Sequence, residues 1–123
     1  MSVPDRKESV RRYKETARPM GVFRVRNASS GVSLVGTSVD VPAMLNRQRF
    51  QLEMGSHPNR ALQRDFAELG EAAFAFDSLD LLEPADEPDA DPAEELLALE
   101  TMWRERLAET GERFYNATPG KLT

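Results

Sequence analysis

Residues 21–36 read GVFRVRNASSGVSLVG, and the fold is decided there. From Val22 to Arg26 the side chains alternate, with Phe23 and Val25 on one side and Arg24 and Arg26 on the other. A period of two marks a strand with one face buried. Asn27-Ala28-Ser29-Ser30-Gly31 is turn chemistry, since Asn and Ser bond nearby backbone groups and Gly accepts positive φ. Alternation resumes from Val32 to Val35, so the stretch predicts a β-hairpin.

Working outward, residues 5–17 predict a short amphipathic helix with a thin stripe of Val10, Tyr13 and Ala17. Arg18-Pro19 closes it, because proline restricts the residue before it. On the other side, Asp40 can cap a helix with Pro42 in its first turn, running to about Met54 and stopping at Gly55. Its inner face holds Val41, Leu45 and Leu52. Pro58 opens a second helix, with Leu62, Phe66 and Leu69 on one side and Gly70 as the stop. Ala73 to Leu79, with Phe74 and Phe76 in alternation, predicts a third strand. Glu83 to Asp91 is acidic and punctuated by proline, the composition of a mobile linker. The last helix starts at Asp91-Pro92, with Asp91 and Glu94 arranged as a capping box. Its stripe is Leu96, Glu100, Trp103 and Leu107.

The fold class expected is therefore α+β, a small three-stranded antiparallel sheet flanked by helices. Residues 1–20 form an N-terminal helical extension, 21–116 the domain with 83–91 as its linker, and 117–123 a tail. With 123 residues there is room for one modest core. No cysteine is present, which excludes disulfides and thiolate metal sites and fits a reducing cytoplasm. A single histidine, His57, excludes a two-histidine metal site within one chain. The first residues are polar and no long apolar run occurs, so neither a signal peptide nor a membrane span is expected. Net charge is −5, unevenly spread: residues 1–64 hold 12 Lys+Arg against 5 Asp+Glu, and residues 65–123 hold 4 against 16. A basic half facing phosphate and an acidic half facing away is one reading, and solvated helices of unequal charge is the other.

Two polar residues break apolar stripes. Glu100 stands where its helix calls for an apolar side chain, and a carboxylate on a buried face is costly unless paired or metal-bound. Gln48 shares the inner face of Val41, Leu45 and Leu52, one turn after Met44.

The segment from Phe50 to Phe76, FQLEMGSHPNRALQRDFAELGEAAFAF, and the late LLALETMWRERL followed by Tyr115-Asn116 resemble the GIY-YIG endonuclease superfamily. The order of elements is the same, and the match spans residues 21–116. RRYKETARPMGVF, just before and into the first strand, resembles a small stand-alone bacterial branch, sometimes labelled LuxR-like. The resemblance implies a nuclease fold acting on nucleic acid, DNA more than RNA. It implies a first-strand Tyr beside the attacking water and a second-strand Tyr supporting it. It further implies an Arg and a His on the next helix, a second His, a Glu holding one Mg²⁺, and a closing Asn. Carried over, the two tyrosines fall on Phe23 and Leu34, the Arg on Met44 and the first His on Gln48. His57, Glu100 and Asn116 are retained, with Glu100 as the implied metal ligand. Arg47, Arg49, Arg60 and Arg64 are the candidates for phosphate contact, or else a solvated basic surface.

Phe23 and Leu34 cannot relay a proton, a loss of roughly 10²–10⁴ in rate. Met44 offers no charge to a phosphorane, where one donor is worth roughly 10²–10³. Three functions follow as alternatives: a degenerate nuclease domain that binds nucleic acid weakly, an active Mg²⁺-dependent endonuclease using substitutes such as Arg47, or a protein-interaction module.

Overall fold

The computed structural model describes residues 18–84 and 91–116. The expected helix over 5–17, the centre of the acidic linker and the tail lie outside them.

Strands β1 (Met20–Asn27) and β2 (Val32–Ser38) form the hairpin, with Phe23 opposite Gly36 and Val25 opposite Leu34. The turn works as its composition suggests. Asn27 Oδ1 accepts the N–H groups of Ser29 and Ser30, at 3.0 and 3.3 Å, and Gly31 takes φ 75°. Strand β3 (Phe74–Leu82) pairs antiparallel with the other side of β1, with a bulge between Val22 and Phe23. Beside that bulge the backbones crowd: a Cβ on Gly21 would lie 2.0 Å from the carbonyl oxygen of Asp80. Only glycine fits there.

A fourth strand, β4 (Arg113–Phe114), runs parallel to β2 at Val32 and Ser33, giving the order β3-β1-β2-β4. The sheet is thus four-stranded and mixed, not three-stranded and antiparallel. Two residues carry no period, and this strand exists only because the chain returns to β2 after its last helix.

Helix α1 (Val41–Met54) starts where Asp40 accepts the N–H of Ala43 at 3.2 Å and ends at Gly55 with φ 75°. Helix α2 (Arg60–Leu69) is capped by Asn59 rather than opened by Pro58; Asn59 Oδ1 accepts from Leu62 N at 3.1 Å. Helix α3 (Ala93–Glu109) has Pro92 at its cap position. With the cap moved one residue on, Glu94 no longer stands at the third helical position, and proline offers neither a side-chain acceptor nor an N–H, so the expected capping box does not form. Asp91 instead accepts from Ala93 N at 3.0 Å.

The register divides the sheet into two faces. The first carries Phe23, Val25, Leu34 and Phe74, packed against Val41 and Leu52 of α1 and Leu62 and Phe66 of α2. Phe66 and Phe74 stack obliquely, their centroids 5.3 Å apart. The second face carries Val22 and Val35, both fully buried. Helix α3 crosses this face: it packs on β1 and β2, and Trp103 Nε1 reaches Asp80 on β3 at 3.0 Å. Its buried residues are Leu96, Glu100 and Arg104, so the stripe passes through Arg104 and leaves Trp103 half-buried.

Candidate functional site

The positions carried over from the sequence fall into two groups. On the first face, Phe23 and Leu34 are fully buried in one apolar cluster, and Met44 of α1 packs against it. The positions to which the resemblance would assign two phenols and a guanidinium thus hold hydrocarbon and a thioether.

From Met44 a polar chain runs through the protein. Gln48 is buried, and its Nε2 donates to Met44 Sδ at 3.4 Å. Gln48 Oε1 lies 2.5 Å from His57 Nε2, and His57 Nδ1 accepts the backbone N–H of Asn59 at 3.0 Å. With Nδ1 accepting, the proton sits on Nε2 and the ring is neutral. Burial lowers its pKa below the ordinary 6.5. Asn59 Nδ2 donates to the carbonyl of Tyr115 at 3.1 Å. The Tyr115 hydroxyl donates to Asp65 at 2.7 Å and accepts from Asn27 at 3.1 Å. Burial, with the Asp65 carboxylate next, pushes the phenol up to about 12. His57 is thus a tie between α1 and the start of α2.

The second group lies under α3. Glu100 is fully buried, as its place in the stripe suggests. Its carboxylate stands 3.8 Å from Arg104 Nε, one turn on. Burial lowers the Arg104 pKa, while Glu100 opposes that shift. Arg104 also donates to the backbone carbonyl of Asn116 and lies 3.4 Å from its Oδ1. The Asn116 amide spans Val35, accepting its N–H at 3.1 Å and donating to its C=O at 2.6 Å. It imitates one residue of a neighbouring strand.

These surroundings suit Mg²⁺ poorly. No group of three His, Cys, Asp or Glu able to hold a metal occurs among the described residues. Glu100 supplies a lone carboxylate, and the guanidinium already beside it would repel a divalent cation.

Of the candidate phosphate ligands, Arg47, Arg60 and Arg64 are exposed and make no ion pair among the described residues. Arg49 is engaged, pairing with Glu71 at 3.1 Å and lying 4.5 Å over the Phe76 ring. Arg47 lines a cavity of about 200 Å³ with Arg18, Asp40 and Met44. Arg24 and Arg26 point to the second face, as alternation requires. There Arg24 bonds Glu112 and Asp77, both at 3.2 Å, and Arg26 lies 3.6 Å from Glu112. Ser33 Oγ donates to the same Glu112. Sequence reasoning missed Arg104 and Glu112. Arg104 had a signal, its spacing of four from Glu100; Glu112, beyond the helix, had none.

No family model matches the chain, and no curated protein matches it by sequence. Among solved structures it is similar to the catalytic domain of the homing endonuclease I-TevI. The TM-score is 0.63 at 22% identity, covering 80% of this chain and 98% of that one. It is also similar to a glutamate-to-alanine mutant of the catalytic domain of the intron endonuclease I-TevI. There the TM-score is 0.65 at 20% identity, over 85% and 99% of the two chains. The chain has the GIY-YIG fold. At this identity the likeness is one of architecture, and it agrees with the GIY-YIG resemblance legible in the sequence. The GIY-YIG frame is present with hairpin, two following helices, third strand and late helix in order. No helix among the described residues is long and apolar enough to cross a membrane.

Proposed function

We propose that this GIY-YIG domain does not cleave phosphodiesters and contacts the phosphate backbone of nucleic acid weakly, DNA before RNA. One observation supports this most: Phe23, Leu34 and Met44 pack together where cleavage chemistry would sit, while Arg47, one turn after Met44, stays exposed and unpaired among the described residues. A hydrocarbon cluster can neither take a proton from water nor stabilise a phosphorane. In this reading Glu100 is the counter-ion of Arg104 and not a metal ligand. Arg47, Arg60 and Arg64 then act as point charges on phosphate, with Arg49 contributing when it leaves Glu71. The net charge of −5 keeps the affinity low.

The first test is plasmid nicking with Mg²⁺ and with Mn²⁺. The wild type is expected to give no product above a protein-free control. Metal-dependent nicking that disappears in a folded Glu100→Ala variant would establish an active endonuclease instead. The second test is titration of labelled duplex DNA at low salt. Each phosphate contact should add roughly −0.9 to the log–log salt slope. Charge reversal at Arg47, Arg60 and Arg64 should weaken binding equally for all sequences, because backbone contacts read no bases. The same packing of Phe23, Leu34 and Met44 also favours a protein-interaction module. No shift at low salt and high protein concentration would leave that reading standing.

A further inference from the structure

Strand β2 pairs with β1 along its length but with β4 only at Val32 and Ser33. Its outward-facing groups can be followed one by one. The carbonyls of Gly31 and Ser33 accept from the N–H groups of Arg113 and Tyr115, at 3.3 and 2.7 Å. Next outward are the N–H and C=O of Val35, both taken by the Asn116 amide. By the same alternation the following outward pair belongs to Thr37, where β4 and Asn116 have ended. Among the described residues nothing pairs with this edge at Thr37, and an open edge is a template for another strand.

Beside Thr37 opens a cavity of about 430 Å³, lined by Thr37, Val39, Pro92, Leu96 and Leu97. Val39 is 60% exposed and Leu97 48% exposed, a large apolar presence for the surface of a small domain. The cavity lies on the second face, the face to which Thr37 points in register with Val22. A residue added opposite Thr37 would point into it, because cross-strand neighbours share a face. Asp91 lines the cavity as well, and the exposed Glu94 and Glu95 follow it in the first turn of α3, so this end of the helix is acidic.

We infer that the β2 edge at Thr37 and this apolar cavity form a docking site for an extended, basic peptide of a partner protein. The peptide adds as a further strand, shares main-chain hydrogen bonds with Thr37, and lowers one apolar side chain between Val39 and Leu97. Main-chain bonds supply affinity in this mode and the pocket supplies specificity. Lysine or arginine flanking that side chain meets Asp91, Glu94 and Glu95. The site adjoins the Arg47 cavity at Ser38 but does not depend on nucleic-acid binding.

The test uses the full chain and a capped heptapeptide, KVKLKVK, followed by amide NMR and hydrogen exchange. Expected are saturable shifts centred on the Thr37 amide and slowed exchange there. Affinity should fall roughly tenfold when the central peptide nitrogens are methylated, since main-chain bonds carry strand addition. Val39→Glu and Leu97→Glu, both at exposed positions, should also abolish binding, as should the acidic analogue EVELEVE. The methylated peptide leaves the protein unaltered, so misfolding of a variant cannot decide the outcome. Absence of binding at low-millimolar peptide would overturn the proposal. Equal binding of the methylated peptide would show charge adsorption and overturn it too. A Thr37 amide already protected in the free chain would do the same, assigning the edge to residues 1–17 or, if sedimentation shows a dimer, to a second copy.

Discussion

Phe23 and Glu100 are equally shut off from water, both at 0% exposure, yet their surroundings share nothing. Phe23 lies among Val25, Leu34, Leu62 and Phe66. Glu100 lies against Arg104, on a sheet face that also holds Arg24, Arg26 and Glu112. Apolar burial is favourable by itself, roughly 1.5–3 kcal/mol for a large side chain. Buried charge is tolerated only while its partner stays. The first face can therefore surrender polar chemistry and gain stability. The second must keep its ion pairs whether or not any chemistry remains.

The largest blow to this contrast is Phe23→Ala, expected to lower unfolding free energy by about 4 kcal/mol through a cavity in the first-face cluster. Urea melts followed by circular dichroism would measure it. Next is Arg104→Ala, expected to cost about 3 kcal/mol because it breaks the buried ion pair with Glu100. A cost of a few tenths would mean that the second face does not rest on this pair. Phe23→Tyr should cost about 2 kcal/mol, since a hydroxyl enters an apolar cluster without a partner. An unchanged midpoint would reveal room at the first face and reopen the route to a working tyrosine.

The smallest effect is one of pH. His57 has a lowered pKa in the native state, so the unfolded chain takes up a proton first as pH falls below the ordinary 6.5. Stability is fully present above that value and drains away as pH falls through the native one. The slope should not exceed about 1.4 kcal/mol per pH unit. Chemical denaturation between mildly acid and neutral pH should show it, and His57→Gln should flatten the profile.

Much of the architecture was legible because it obeys short-range rules. The hairpin declared itself through the alternation of Phe23 and Val25 against Arg24 and Arg26, and Asp40 and Gly55 bounded α1 by capping chemistry. Strand β4 did not, because Arg113 and Phe114 have no pattern and pair only through the returning chain. Glu100 was visible as a misfit in its stripe. Its partner was not singled out, because Trp103 looked like the next apolar position while Arg104 faces inward. The string from Gln48 through His57 and Asn59 to Tyr115 joins three separated parts of the chain, and no local period records such a link.

Strand β3 passes so near Gly21 that its Asp80 carbonyl would touch any added Cβ. In a combinatorial library meant to turn this scaffold into a cutting enzyme, position 21 is thus a fixed point: every codon but glycine forces the β1 and β3 backbones apart. Positions 23, 34, 44 and 48 are free variables by comparison, limited by volume and polarity rather than by the backbone. Leaving position 21 unrandomised spends the whole diversity of such a selection on residues that can answer it.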